Sequence, residues 1–177
     1  MNAEFIRDAA ATAAIFGFFA SSWFGWAQEN PPAAWRHWLI AGAILALLVA
    51  IGGGVLTWQH WLDGTAFNPQ TGRTFGLIVG IEFTIAGIGA GVLAALGKPQ
   101  LIAPWVALVV GVHFWPLAPL LRYPLLYGVA ALVSIAALVA VPLARAQTIT
   151  VSAVTGLAIG LILLAAALYS LGTVLSS

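Results

Sequence analysis

Six long stretches, each almost free of charge, run through the chain: Ala9–Ala27, Trp38–Trp58, Thr74–Gly97, Leu101–Leu121, Tyr123–Leu143 and Ile149–Leu171. An α-helix needs about 20 mostly apolar residues to cross the hydrocarbon of a bilayer. Inside hydrocarbon the backbone must satisfy its own polar groups, which leaves only helices and closed barrels. Barrel strands are about 10 residues long and alternate apolar with polar; these runs are longer and do not alternate. The expectation is an all-α fold, a single-domain polytopic transmembrane bundle of six helices occupying residues 1–177, with both termini on one face.

Composition excludes the alternatives. Of 177 residues, 62% are hydrophobic and 6% charged, against about a quarter charged in an average soluble domain. A soluble domain of this size leaves too much surface in water to hide so much apolar area. A disordered chain needs the opposite composition. A net charge of +1 offers no basic patch for nucleic acid, so the expected partner is the lipid bilayer. With no cysteine, disulfides, Cys-ligated zinc, iron–sulfur clusters and thiol catalysis are excluded. Before the first run, Arg7 is set against Glu4 and Asp8, and the run is long for a signal-peptide core; it reads as a retained first helix.

Turn and charge signals separate the runs. Asn30-Pro31-Pro32 precedes Arg36, and Gly97-Lys98-Pro99 makes a tight turn. Arg122 lies between Pro119 and Pro124, and Ala144-Arg145-Ala146-Gln147 divides the last two runs. The one long loop is expected from His60 to Arg73, including Asn68-Pro69-Gln70-Thr71-Gly72. Cytoplasmic loops normally carry the excess of Lys and Arg. Here Arg7, Arg73 and Arg122 on the terminal face balance Arg36, Lys98 and Arg145 on the other, and orientation stays open.

Tryptophans cluster at the expected interfaces: Trp23, Trp26, Trp35 and Trp38 at the first turn, Trp58 and Trp61 opposite, and Trp105 and Trp115 near the ends of the fourth run. They read as aromatic belts, with an aromatic cage for a cation or cofactor as the alternative. Small residues recur at every fourth position: Ala13, Gly17, Ser21 and Gly25 in the first run; Gly42, Ala46, Ala50 and Gly54 in the second; Gly76 and Gly80, then Gly87, Gly91 and Ala95, in the third; Gly156 and Gly160 in the sixth. Lipid gives helices no hydrophobic reason to associate, and close backbone packing at small residues takes its place. The stripes fit a tight bundle, and equally a homo-oligomer or a seat in a larger membrane complex. Gly52-Gly53-Gly54 is expected to soften the second helix. The halves show no convincing inverted repeat of the kind found in many transporters.

Two ionisable residues fall inside runs, Glu82 in the third and His113 in the fourth. Glu82 lies 16 residues before Lys98 and His113 lies 15 after it. At about 1.5 Å per residue, an antiparallel hairpin puts them at one depth. A carboxylate in hydrocarbon must pair, protonate or face water, and His113 is the expected partner; Arg122 reaches that depth only by bending inward. One reading is a polar clasp, typically about 0.6 kcal/mol in membranes. The other is a substrate or proton site. Pro116 and Pro119 remove the donors that would bond the carbonyls of Val112 and Trp115. Freed carbonyls at membrane depth often line a cavity, while the plain alternative is a kink that ends the helix before Arg122. Regular hydrogen bonding is expected to fail between Val112 and Pro119. Bis-histidine haem lacks a second intramembrane histidine, since His37 and His60 sit at the ends of the second helix. His60 and Asp63 have no third ligand for a metal. No G-x-S-x-G nucleophile and no phosphate-binding glycine loop occurs. No cofactor, metal or catalytic residue is expected.

The stretch from Pro104 to Pro119, with Gly111, His113 and Pro116 forming G-x-H-x-x-P, resembles a segment of bacterial integral-membrane proteins of about this length. In them the signature lies on the fourth helix and a glutamate, here Glu82, on the third. The resemblance covers mainly the third and fourth helices. It implies a bacterial cell (inner) membrane and a multi-pass protein, and carries no substrate with it. The chain differs from the Trp-rich tetrapyrrole receptor of membranes, which has five helices and other tryptophan motifs. The functional expectation is a small transporter or permeation protein with its polar site at Glu82, His113 and the end of the fourth helix. The alternatives are a structural or accessory subunit and a membrane enzyme acting on a lipid or quinone-like substrate.

Overall fold

The computed structural model describes residues 3–176. Six α-helices account for most of them: α1 (Ile6–Trp26), α2 (Arg36–Gln59), α3 (Pro69–Ala95), α4 (Ile102–Leu120), α5 (Leu125–Gln147) and α6 (Val151–Leu175). Short 3-10 turns at Ala33–Trp35 and Pro99–Leu101 lead into α2 and α4. There is no strand among the described residues. All six helices are long and apolar enough to cross a membrane. The protein is a multi-pass, all-helical membrane bundle.

The helix ends follow from local chemistry, and some move the expected boundaries. α3 starts at Pro69, several residues before Thr74. Asn68 is its N-cap, with the side-chain oxygen accepting from the Gln70 and Thr71 amides at 2.9 Å each. Pro69 takes the first helical position, where a missing amide costs nothing. The stretch from Asn68 to Gly72 therefore opens a helix, and the loop shrinks to His60–Asn68. α5 runs through Pro142 and on to Gln147, so the expected separator is its last turn. It closes at Thr148 in the left-handed region, with the Ile149 amide bonded to the Ala144 carbonyl. α4 closes in the same way: Arg122 is left-handed at φ 51°, its amide reaches Pro119, and the Tyr123 amide reaches Ala118. That six-to-one closure is a Schellman motif. It falls beyond both prolines, so α4 passes through Pro116 and Pro119 without ending.

α6 is the centre of the bundle, packed on α1, α5, α2 and α4. Glycine makes the close approaches. A Cβ at Gly17 of α1 would stand 2.7 Å from the Ala46 carbonyl oxygen of α2, and one at Gly53 of α2 would stand 2.5 Å from the Ala14 nitrogen of α1. One at Gly156 of α6 would stand 2.6 Å from the Trp23 carbonyl oxygen. α2 passes through Gly52-Gly53-Gly54 as continuous helix; Gly53 serves packing, while Gly52 and Gly54 face open space. The core fills with Phe24, Leu39, Leu126, Val133, Ile159 and Leu163, all nearly inaccessible. Polar ties join opposite ends of the chain. Arg122 donates to Glu4 at 2.9 Å, and Tyr123 pairs with Ser170 at 2.8 Å. On the far side Thr150 donates to the Asn30 carbonyl at 2.8 Å. These ties gather the start of α1, the end of α4 and the end of α6 on one face, as an even number of crossings requires.

α3 stands apart. It packs mainly on α4 and has no buried residue among its 27. Trp105 of α4 presses into a notch at Gly89, leaving no room there for a side chain, and its indole N–H donates to the Ile85 carbonyl at 3.3 Å. Trp105 is therefore a clasp between helices rather than part of an interfacial belt. Trp23 is buried and stacks on Trp26, while Trp38, Trp58 and Trp61 lie exposed near helix ends.

Candidate functional site

The α3–α4 hairpin turns at Gly97, left-handed at φ 68°, with the Lys98 amide bonded back to Leu93. From this turn the two helices run back side by side. Half-way along α3, the Glu82 carboxylate meets His113 of α4, with Oε2 3.4 Å from Nε2. Both side chains are about nine-tenths covered, at 12% and 11% exposure. The separation is slightly longer than the usual N–H···O range of about 2.7–3.2 Å and within reach of an ion pair.

The other ring nitrogen settles the hydrogen inventory. His113 Nδ1–H donates to the Val110 carbonyl at 2.6 Å, and a carbonyl can only accept. In the neutral ring Nε2 then carries a lone pair facing a carboxylate oxygen. Two acceptors attract only when a proton lies between them. One proton between them, on the carboxyl or on the ring, makes the contact attractive. Either arrangement has no net charge, which suits its depth in hydrocarbon.

The pair lines a cavity of about 290 Å³ bounded by α1, α3, α4, α5 and α6. Its other walls are apolar and rich in rings, among them Phe16, Trp23, Phe75, Phe83 and Phe114. Phe16 and Phe114 meet edge to face with centroids 5.3 Å apart. Two further side chains there carry polar groups: the Thr12 hydroxyl donates to the Asp8 carbonyl at 2.8 Å, and the Trp23 indole brings an N–H.

The remaining residues that the sequence grouped with this pair lie elsewhere. Val112 and Trp115, whose carbonyls lose their proline partners, stand half-exposed outside the cavity, with Trp115 against the Tyr127 ring. Pro116 and Pro119 do not line it either. Arg122 is on the terminal face, held by Glu4. His60 faces the Asp63 carboxylate at 2.5 Å, far along the chain from the pair.

Sequence reasoning missed Asp8. Its buried carboxylate accepts from the Thr65 hydroxyl and the Ala66 amide, both at 2.7 Å, and so latches the His60–Asn68 loop onto α1. Arg7 supports the latch, lying over the Trp61 ring at 3.9 Å and donating to its carbonyl at 2.9 Å. An acidic residue in a helix's first turn is an ordinary dipole partner, so nothing local marked it. Phe16 and Phe83 carried no signal either, because a cavity-lining phenylalanine and a lipid-facing one look alike in sequence. No family model, curated protein or solved structure matches this chain.

Proposed function

We propose that this protein is a small transport or permeation protein of a bacterial cell membrane, with the Glu82–His113 pair as its substrate or proton site. The observation that carries this is the covered Glu82–His113 pair, 3.4 Å apart, in the wall of a cavity. A clasp that served only to hold α3 on α4 would be best packed on every side, since helices in lipid associate through close packing. This pair instead lies in the wall of open space. Ionisable groups at such depth are costly and commonly mark pathways or relays. The bacterial location, and membership of the group with the G-x-H-x-x-P signature, are supported by Gly111, His113, Pro116 and Glu82.

Purified protein in vesicles loaded with a pH-sensitive dye tests the proton role. Under a potassium diffusion potential set with valinomycin, wild-type vesicles should change internal pH faster than protein-free ones. Glu82→Gln and His113→Ala should return the rate to that of protein-free vesicles. Wild-type vesicles as tight as empty ones would overturn it.

One observation favours a second reading, an accessory subunit of a larger complex. Gly76, Gly80, Gly87 and Gly91 along α3 have open space where their side chains would be, as a helix awaiting a neighbour would.

A further inference from the structure

We infer that the Glu82–His113 cavity takes a lipid-soluble molecule, an apolar body with one oxygen head group, which enters sideways from the bilayer between α1 and α3. This rests on the reading of the pair as a ligand-contacting site, and adds to it the class of ligand and the route.

The route follows from which lining residues are uncovered. Most of the wall is interior, but Ile15 and Phe19 of α1 are 49% and 41% exposed, and Phe83 of α3 is 62% exposed. All three are apolar. They lie in the middle stretches of their helices, far from the turns that mark the membrane faces. α1 and α3 make at most a glancing contact. The uncovered rim of the cavity is therefore an apolar slot at hydrocarbon depth. Water and hydrophilic solutes do not populate that depth, whereas lipid-phase molecules do.

The class follows from the polar inventory. The Thr12 proton is already given to the Asp8 carbonyl and the Trp23 indole only donates, so Glu82 and His113 are the lining groups that can both give and take a proton. A sugar, an amino acid or a hydrated ion would bring several polar groups and leave most of them unpaired in an apolar enclosure. One hydroxyl or carbonyl oxygen fits: it can accept the shared proton or, if a hydroxyl, donate to the group that lacks it. The ring-lined walls suit the apolar body, with aromatic edges and faces on several sides. At about 290 Å³, the space is at the lower end of ligand pockets, which start near roughly 300 Å³. It holds a ring or a short chain, and a longer tail would trail through the slot into lipid.

Photolabelling of the full chain in phosphatidylcholine nanodiscs with a diazirine-bearing octanol tests this directly. Adducts should concentrate on Phe16, Phe83 and Phe114. Excess octanol should suppress them, and octane or glycerol should not. Glu82→Leu should weaken the octanol competition by about tenfold, the affinity equivalent of one hydrogen bond. Val79→Phe, which fills the cavity and keeps the pair, should abolish labelling at Phe16 and Phe114 even if the Glu82 variant fails to fold. Labels spread evenly over lipid-facing helix surfaces would overturn the inference, as would equal competition by octane or effective competition by glycerol. Because this readout needs no flux, cavity labelling in tight vesicles would sink the proton-transport reading alone. Proton flux without cavity labelling would sink the lipid-ligand inference alone.

Discussion

α3 and α6 have nearly the same length and are both strongly apolar, and both carry glycines four residues apart. α6 buries 13 of its 25 residues, and Gly156 and Gly160 press against Trp23 and Phe24 of α1 and against Ala27, which caps it. α3 buries none of its 27, and four of its glycines face nothing. The same spacing thus serves two ends. In α6 it lets backbones meet; in α3 it leaves a bare surface on a helix held mainly by its neighbour α4, the Asp8 latch and the polar pair. A pattern of small residues reports that close approach is allowed, and the neighbours decide whether it happens.

The sharpest way to break this comparison is to fill the glycines. Gly53→Leu forces a side chain into the α1 backbone and should cost about 3 kcal/mol or more, the upper range for overpacking. Unfolding of detergent-solubilised protein would measure it. Gly80→Leu on α3 should change stability by less than about 1 kcal/mol, in the stabilising direction, because leucine is the better helix former. Equal damage at both sites would mean that the α3 face is covered in the native assembly. Next in size is the latch. Asp8→Ala leaves the Thr65 hydroxyl and Ala66 amide without their acceptor and should cost about 2 kcal/mol. The loss should appear as faster hydrogen exchange at Ala66 and easier proteolysis within His60–Asn68, with the exchange of α6 amides unchanged. The smallest effect is expected at the pair. Glu82→Gln, His113→Ala and the double variant should show a coupling of at least about 0.5 kcal/mol in bundle stability. Additive effects would leave α3 tied to α4 by Trp105 and apolar contact alone.

The helix count was legible because hydrocarbon imposes a length on every crossing, and six runs meet it. The meeting of Glu82 and His113 was legible for a related reason: a tight turn at Gly97 makes depth a function of residue number alone. Boundaries were less so. Asn68 and Pro69 look like loop residues, and their role as cap and first helical position depends on the helix that follows. The direction in which Val112 and Trp115 face depends on how α4 is rotated against α5, which the nearly uniform apolarity of α4 does not record. The cavity was invisible, since a phenylalanine that borders a void reads the same as one that faces lipid.

One short contact has a kinetic consequence. For an imidazole to hand a proton from one side to the other, it must accept at one nitrogen and release from the other. His113 cannot do so while its Nδ1–H is held by Val110 at 2.6 Å. A proton arriving at Nε2 can leave only by the way it came, so the ring is a cul-de-sac rather than a wire. Onward passage demands that the ring swing free or that whatever occupies the cavity carry the proton away. Any proton transfer across this centre would therefore saturate at the pace of a carrier, one exchange per molecular event, below the throughput of an open pore.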